Sequence, residues 1–360
     1  MDAASLRAEF PVLARVTYLN AGTDGPVPAR ALAAVEAELR READEGRHFP
    51  HFKRRAELKA RQREGYAALL GADPSDVAIT TCTSEGIARA LLGMQLGPGD
   101  EVLTSDEEHP GVLGPLGAAR ARCGVTIRVA PFAELANAVG PNTRLVACSH
   151  VSWVSGRIAP TELAGLDGVV LMMDGAQGVG AVPVDVRALG CHVYAGSGQK
   201  WLCGPDGSGM LYVAPEFRDR LAMPDPGYGS FVDAMAGLDA ELHADARRYD
   251  APALPAEASA FALAGLEVLG EAGWEAVHDR GAHLAAQLAE GLADRGLRVL
   301  RRDRTTLVAF EVPDPVAQRD ALRDAGVVVR DLPGRGALRA SVGAWNDEAD
   351  LERLLDLVTR

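Results

Sequence analysis

Lysine is almost absent from this chain of 360 residues, which uses arginine for nearly all of its positive charge. Two of the three lysines, Lys53 and Lys59, lie in the charged run FKRRAELKARQRE, which is typical of a solvated helix face. The third, Lys200, follows the apolar run HVYAG within GSGQKWLCGPDGSG (196–209). A lone lysine there is a candidate for chemistry that arginine cannot perform, although a surface lysine is the simpler alternative.

An excess of positive charge is also missing, because the formal net charge is −13. A protein that binds a polyanion needs a basic face to neutralise phosphates. The single basic cluster, 53–63, is interrupted and followed by Glu57 and Glu64. The charge therefore argues against a nucleic-acid partner.

Paired cysteines, a signal sequence and long apolar runs are lacking as well. The five cysteines form no CxxC pair and are odd in number, which disfavours a disulfide framework or a structural metal site and indicates a reducing compartment. The N-terminus MDAASLRAEF has no apolar signal region, and no apolar run approaches the roughly 18 residues that span a bilayer. We expect a cytoplasmic protein with no membrane and no metal.

Short apolar runs alternate with helical patterns between about residues 66 and 215. Because most runs are apolar at consecutive positions, they predict strands buried on both faces of a mainly parallel, seven-stranded sheet in an α/β domain. Helices are expected between them, including SEGIARALLGMQL, PGVLGPLGAARARC and TELAGL. The strand candidates are VAIT (77–80), EVLT (101–104), VTIRV (125–129), LVACS (145–149), VVLMM (169–173), HVYAG (192–196) and GMLYV (209–213).

The pattern changes after about residue 215. A Pro/Gly/Asp-rich stretch leads to a long Ala-rich helix pattern at about 255–300, which precedes three further strand candidates and a closing helix. This predicts a smaller α+β unit with antiparallel strands. We expect an N-terminal segment (1–20) packed on that unit, a large domain (21–250) and a small C-terminal domain (251–360).

Polar residues follow several predicted strands, at the edge where doubly wound sheets collect their active residues. TTCTSEG (80–86) opens a helix, so Thr83 and Ser84 could cradle a phosphate, although plain helix capping is favoured for this motif alone. Asp174 directly follows the run VVLMM, and Gln177 comes three residues later. This position suits either an acid of the site or a turn aspartate. Lys200 comes after the next strand, a spacing that suits one βαβ crossover and would bring its amine near Asp174.

His109 follows the strand EVLT, and its flat ring could stack on a planar cofactor, although an isolated histidine beside Pro110 is more often a surface residue. Ser197 could add a hydroxyl to a phosphate site. A phosphate cradle, an aromatic stacker, a strand-end acid and a lysine able to form a Schiff base together describe a pyridoxal 5'-phosphate (PLP) site.

These motifs resemble the class V aminotransferases, the fold-type I PLP enzymes that include cysteine desulfurases and cysteine/cystine C–S lyases. The resemblance spans nearly the whole chain and is closest to the C–S lyases. It rests on YLNAGTDGPVP (18–28), TSEG (83–86), EEHPG (107–111), SHVSWVSGRIAP (149–160), MDGAQGVG (173–180), SGQKW (197–201) with CGPDGSG (203–209), and LRASVGAWND (338–347).

The resemblance implies a role for each matching residue. Lys200 would hold PLP, Asp174 would pair with its pyridine nitrogen, and His109 would stack on its ring. Gln177 would lie near the phenolic oxygen, and Arg339 would bind the substrate α-carboxylate. The other implied residues are Thr83, Ser84, Ser197 and Gln199 for the phosphate, Arg330 as a second cation, and Asn20, Gly22 and the following loop on the substrate side, with His48 and His51 as speculative additions.

The chain departs from the family pattern at three places. Gln199 replaces the usual histidine before the lysine, and it cannot titrate near neutral pH. Ala253 stands where the partner subunit's phosphate-binding threonine is expected, which weakens the case for a cross-subunit contact. The stretch 331–337 (DLPGRGA) replaces the loop that carries the nucleophilic cysteine of desulfurases, and no cysteine follows Cys203.

The missing cysteine favours a PLP-dependent C–S lyase that releases pyruvate, ammonia and a thiol or persulfide from cysteine, cystine or an S-substituted cysteine. Aminotransferase, epimerase and desulfurase-like activity on another amino acid stay open as alternatives. A catalytically silent PLP-binding protein is disfavoured because Lys200, Asp174 and Arg339 are all retained. The resemblance also implies a homodimer that acts on a small amino-acid substrate.

Overall fold

The computed structural model describes residues 1–358, which form an α/β protein. Its helices are α1 (Ala3–Ala8), α2 (Ala29–Glu45), α3 (Phe49–Leu70), α4 (Thr83–Gly93), α5 (Pro110–Cys123), α6 (Leu135–Ala138), α7 (Ala256–Ala272), α8 (Trp274–Asp294), α9 (Pro315–Asp324) and α10 (Glu348–Leu357). Its strands are β1 (Thr17–Tyr18), β2 (Val77–Thr80), β3 (Glu101–Ser105), β4 (Thr126–Ala130), β5 (Thr143–Ser149), β6 (Val170–Asp174), β7 (Val193–Ser197), β8 (Gly209–Val213), β9 (Leu307–Glu311), β10 (Val327–Val328), β11 (Arg330–Leu332) and β12 (Ala337–Ser341).

The main sheet has seven strands in the order β2-β8-β7-β6-β5-β3-β4. All neighbours pair in parallel except that β8 is antiparallel to both β2 and β7. Every residue of β6, β7 and β8 is buried, as consecutive apolar residues require when helices cover both faces of a sheet. The predicted mainly parallel, seven-stranded sheet is confirmed.

A second, antiparallel sheet has the order β11-β12-β9. The N-terminal segment joins this part of the chain, because β1 pairs in parallel with β10 and Asn20 bridges to Ser341. Arg7 in α1 also forms an ion pair with Asp350 in α10 (2.7 Å). These contacts bring the loop after β1 close to the end of β12.

Two predictions about helices were wrong, one for the Ala-rich pattern and one for the connection from β6 to β7. The Ala-rich pattern at about 255–300 is not one helix, because Gly273 adopts a positive φ (86°) and separates α7 from α8. The connection from β6 to β7 contains no α-helix, although the two strands are parallel neighbours as the spacing predicted. TELAGL forms a short 3-10 helix, Thr161–Gly165.

The ends of the sheet strands determine where polar side chains collect. Because β5, β6 and β7 are parallel, the residues at their carboxyl ends lie along one edge of the sheet, with Ser149 opposite Asp174 in the register. Helices α4 and α5 begin at the same edge, after β2 and β3. Within residues 1–358, no helix is both long and apolar enough for a membrane span.

Candidate active site

A cavity of about 230 Å³ lies at this edge of the sheet. It is lined by residues from the ends of the main-sheet strands, from the loop after β1, and from both β11 and β12. Eleven of the twelve predicted site residues listed above, apart from the speculative histidines, line it. The lining is Gly22, Thr23, Asp24, Cys82, Thr83, Ser84, His109, Trp153, Asp174, Ala176, Gln177, Ser197, Gln199, Lys200, Arg330 and Arg339.

Lys200 lies in the loop after β7, where burial lowers the pKa of its amine to about 8. Asp174 opposes this effect by raising the pKa, whereas the charge of Arg339 adds to it. A large fraction of the Lys200 side chains is therefore uncharged just above neutral pH. An uncharged amine is the form that attacks a carbonyl or accepts a proton.

The low pKa of Lys200 can be measured by chemical modification of the apoprotein. We expect acetylation by acetic anhydride at Lys200, followed by mass spectrometry, to rise with pH with a midpoint near 8. N-α-acetyl-lysine amide, measured alongside, should reach its midpoint near the ordinary lysine value of 10.5. A Lys200 midpoint above 10 would contradict the buried environment that the structure gives this amine.

Asp174 ends β6 and is 6% exposed. Its Oδ1 accepts a hydrogen bond from the Ala176 N–H (2.8 Å). Burial raises the pKa of Asp174, while the charge of Lys200 lowers it. A carboxylate in such a place gains most from a cationic partner, and a protonated ring nitrogen is one.

The N-terminus of α4 brings together the hydroxyls for which TTCTSEG predicted a phosphate-binding role. The Thr83 and Ser197 hydroxyls are 2.7 Å apart, and the Thr83 N–H also donates to Ser197 Oγ (3.3 Å). Ser84, in the first turn of α4, is exposed to the cavity. A helix start together with three hydroxyls suits a phosphate.

His109 is the N-cap of α5, and its Nδ1 accepts a hydrogen bond from the Gly111 N–H (3.0 Å). Burial lowers the pKa of His109 to about 4, and among the charges Lys200 contributes most to this shift. The ring is thus neutral at neutral pH, with its proton on Nε2. It meets the Trp153 ring edge to face, with centroids 5.1 Å apart.

Gln177 is fixed in orientation by two hydrogen bonds. Its amide nitrogen donates to the Gly22 carbonyl (2.7 Å), and its Oε1 accepts from the Trp201 indole (2.9 Å). Gly22 is required by this packing, since a Cβ there would lie 2.7 Å from Ser341 Oγ and 2.9 Å from Arg339 Nη2. The loop after β1 can therefore approach the end of β12 closely.

Arg339 and Arg330 are direct cross-strand neighbours on β12 and β11. Arg339 is 1% exposed, and its Nη1 donates to the Trp153 carbonyl (2.8 Å). Its Nε and Nη2 are buried without a partner among the described residues. Burial lowers the pKa of Arg339 to about 9, with Arg330 adding to the effect. A buried guanidinium with two free donors is suited to a ligand carboxylate.

Of the four remaining predicted residues, one lines the cavity and three do not. Gln199 lines the cavity, and its Oε1 is buried without a partner in residues 1–358. Asn20 does not line the cavity; its Oδ1 accepts from the Thr23 hydroxyl (2.8 Å) and shapes the loop. The speculative His48 and His51 also lie elsewhere, at the start of α3, and His51 faces Glu42 at 3.6 Å.

Several cavity residues were missed by sequence reasoning. Trp153 was quoted within SHVSWVSGRIAP without a role, although it follows β5 at the edge where the site was expected. Thr23 and Asp24 belong to the loop after Gly22, which was expected on the substrate side, but neither residue was singled out. Glu107 and Glu108, beside His109, also went unrecognised; they lie outside the cavity lining, and each binds a serine more than 40 residues away, Ser155 for Glu107 and Ser149 for Glu108.

The residues present fit PLP. The cavity offers a cradle for a phosphate, a buried carboxylate for a ring nitrogen, a neutral imidazole for a ring face, and a lysine whose lowered pKa suits attack on an aldehyde. The partnerless buried Gln199 Oε1 is a further indication that polar groups here await a ligand.

Comparison with known proteins agrees with this geometry. The family model described as Aminotransferase class-V matches residues 17–354. A probable cysteine desulfurase of Pseudomonas aeruginosa is 32% identical, over 96% of this chain and 95% of its own length. An isopenicillin N epimerase of Amycolatopsis lactamdurans is 30% identical, over 98% of this chain and 97% of its own length.

Solved structures with the same fold include two of C-DES. The complex of the cystine C–S lyase C-DES with its reaction product cysteine persulfide has a TM-score of 0.91 and 28% identity, covering 96% of this chain and 98% of the other. A C-DES mutant with glycine covalently linked to the PLP cofactor has a TM-score of 0.92 and 28% identity, covering 97% and 98%. The expected fold type and cofactor are confirmed.

Proposed function

This chain belongs to the class V aminotransferase family, and on that premise we propose that it is a PLP-dependent C–S lyase. Its substrate would be cysteine, cystine or an S-substituted cysteine. With cystine, the reaction consumes one water and yields pyruvate, ammonia and cysteine persulfide, so that the C–S bond breaks and the persulfide sulfur leaves with its electron pair. Similarity to the cystine C–S lyase C-DES supports this assignment.

PLP, when bound, supplies the electron sink that stabilises negative charge at the substrate α-carbon. The residues of the chain do the rest. Lys200 would hold the cofactor and, once displaced by the substrate amine, would take the α-proton on Nζ, for which its pKa of about 8 is well matched. Asp174 would keep a proton on the pyridine nitrogen. Arg339 would orient the substrate through its carboxylate.

The observation that carries the choice of C–S lyase over desulfurase is the β11–β12 hairpin. Only residues 333–336 join the two strands, which pair directly from Arg330 with Arg339 to Leu332 with Ala337. This tight turn contains no cysteine. The other thiols near the site are Cys82, which accepts a hydrogen bond from the Glu85 N–H, and the buried Cys203. A sulfur leaving group would thus be released rather than transferred to a mobile enzyme thiol.

The proposal is tested with the holoenzyme and three substrates: L-cystine, S-methyl-L-cysteine and L-cysteine. We expect pyruvate and ammonia in equal amounts from at least cystine, together with a cyanide-reactive persulfide. Failure to form pyruvate from any of the three, in a preparation that retains bound PLP, would overturn the assignment.

Epimerase activity is the alternative supported by a specific relative, the isopenicillin N epimerase. It would appear in the same experiments as exchange of the α-hydrogen with deuterium from solvent and as a change in chirality, without pyruvate. Transamination would appear as conversion of bound PLP to its amine form with release of a keto acid.

We also infer a homodimer, because the chain exposes a group of large apolar side chains. Met235 is 83% exposed and Leu238 is fully exposed in the segment 225–243, and Phe49 is 79% exposed at the start of α3. Met235 and Leu238 are three residues apart in one segment, and a contiguous exposed apolar patch usually marks an interface. The inferred dimer would not supply a threonine to the phosphate site, since Ala253 has no hydroxyl.

The dimer is tested by light scattering on the double variant Met235→Asp/Leu238→Asp. We expect the wild type to have twice the mass of one chain and the variant to shift towards one chain, because burying two carboxylates in an apolar interface costs several kcal/mol. Val129→Asp, on the edge strand β4, changes an exposed apolar residue outside this segment and should stay dimeric. An unchanged mass for the double variant would rule this surface out as the interface.

Location and domain boundaries are proposals of the same kind. The five cysteines are free, which is consistent with a reducing cytoplasm. We propose a large domain at 21–250 and a small domain at 251–360, of which 359–360 lie outside the residues that the structure describes, with residues 1–20 packed on the small domain through the β1–β10 pairing.

A further inference from the structure

The turn 152–156, which follows β5, makes the one hydrogen bond that the Arg339 side chain has within residues 1–358. Arg339 Nη1 donates to the Trp153 carbonyl over 2.8 Å, and no carboxylate lies within ion-pair distance of the guanidinium. A single acceptor therefore determines where the polar end of this buried side chain lies. Any shift of the Trp153 carbonyl would shift the two free donors of Arg339 with it.

Glu107 is the acceptor around which this turn is built. The Ser152 and Ser155 hydroxyls both donate to Glu107 Oε2, the latter over 2.5 Å. Ser152 Oγ in turn accepts from the Val154 and Ser155 N–H groups (3.1 Å each), and the Gly156 N–H donates to the Ser152 carbonyl (3.0 Å). Both serines are buried, so loss of the carboxylate would leave two buried hydroxyls without their acceptor.

The neighbouring carboxylate, Glu108, has different partners. Its Oε1 accepts from the Ser105 hydroxyl (2.5 Å) and the Ser149 N–H (3.0 Å), and its Oε2 accepts from the Ser149 hydroxyl (2.6 Å). Glu108 thus joins the ends of β3 and β5, on the side of the cavity where Asp174 lies. Glu107 acts on the turn at the Arg339 side, so the two adjacent glutamates have separable roles.

We propose that Glu107 is a positioning residue for the α-carboxylate of the substrate. It fixes the turn 152–156, whose Trp153 carbonyl places the Arg339 guanidinium. The inference rests on the role of Arg339 in the proposed function. Because Glu107 acts through Arg339, which binds the carboxylate, loss of Glu107 should weaken the binding of ligands that carry a carboxylate. The binding of amines without a carboxylate should stay unchanged.

The test uses two ligands of the holoenzyme that differ in the carboxylate alone, L-alanine and ethylamine. Neither has a β-leaving group, so their binding, followed by the visible absorbance of bound PLP, does not depend on C–S lyase activity. We expect Glu107→Ala to raise the Kd of L-alanine about tenfold and to leave that of ethylamine within about twofold of wild type. Glu107→Gln keeps one carbonyl acceptor for the two serines and should bind L-alanine within about threefold of wild type.

Two further variants make the result specific. Asp106→Ala removes a carboxylate from the same loop, where Oδ1 accepts from the Phe132 N–H (2.9 Å), and should bind both ligands as the wild type does. Arg339→Gln should weaken L-alanine and spare ethylamine. If Arg339→Gln does not weaken L-alanine more than ethylamine, the carboxylate binds elsewhere, and the proposed role of Glu107 is then wrong as well.

Three results would overturn the proposal while Arg339 keeps its role. These are an equal loss of both ligands in Glu107→Ala, no loss of L-alanine in that variant, or a loss in Glu107→Gln as large as in Glu107→Ala. Failure of pyruvate formation in the substrate assay would instead contradict the C–S lyase assignment and leave these binding constants unaffected.

Discussion

Lys200→Ala is expected to lower the rate of pyruvate formation from cystine by at least about 10⁴-fold, because it removes the amine that we propose holds the cofactor and accepts the α-proton. The variant should still bind PLP without a covalent bond, since the phosphate cradle, Asp174 and His109 remain. Activity is measured as pyruvate release, and covalent attachment by mass spectrometry after borohydride reduction. Reduction should label the Lys200 peptide of the wild type and no peptide of the variant.

Lys200→Arg is the matched control for this prediction. It keeps a positive charge at the position but supplies no uncharged amine, because arginine does not lose its proton in proteins. We expect it to be as inactive as Lys200→Ala. Appreciable pyruvate formation by either variant would show that Lys200 is not the cofactor lysine, and labelling of Lys53 or Lys59 in the wild type would show the same.

Asp174→Asn is expected to lower the rate about a thousandfold while leaving the fold intact. Asparagine has the same shape and can still accept the Ala176 N–H through its carbonyl oxygen. It carries no negative charge, however, so it cannot keep a pyridine nitrogen protonated, and the cofactor loses much of its ability to withdraw electrons. Asp206→Asn, the same change in an exposed loop outside the cavity, should retain activity.

Asp174→Asn should also stabilise the apoprotein. The folded-state pKa of Asp174 is raised by burial above its unfolded value, so its contribution to stability falls as the pH rises through these values. At neutral pH the carboxylate therefore costs stability that asparagine does not. We expect the apo midpoint of thermal unfolding to rise by about 2–5 °C at pH 7, and the difference to shrink towards pH 4. A lower midpoint of thermal unfolding for the Asp174→Asn apoprotein, with unchanged activity of the holoenzyme, would contradict both the predicted stabilisation and the predicted loss of rate.

Local patterns in the sequence predicted much of the fold. Consecutive apolar residues indicated the buried strands, and VAIT and GMLYV were placed to the residue because each is bounded by turn-forming or polar neighbours. The Ala-rich pattern failed at Gly273, since a positive φ at one glycine divides a continuous helical periodicity. The β6–β7 connection failed because spacing alone does not distinguish a crossover helix from irregular turns of the same length.

For the site, the sequence by itself determined which chemistry is possible. A nearly lysine-free chain with one lysine after a buried strand, an acid ending another strand and hydroxyls opening a helix indicated a PLP site, since these residue types and their strand-end positions are local properties. The tertiary structure alone decided which side chains act together. Arg339 meets the Trp153 carbonyl, Gln177 meets Gly22, and Glu107 closes a turn some 45 residues away. Such contacts depend on how strands, loops and helices pack against one another, and no sequence spacing specifies them.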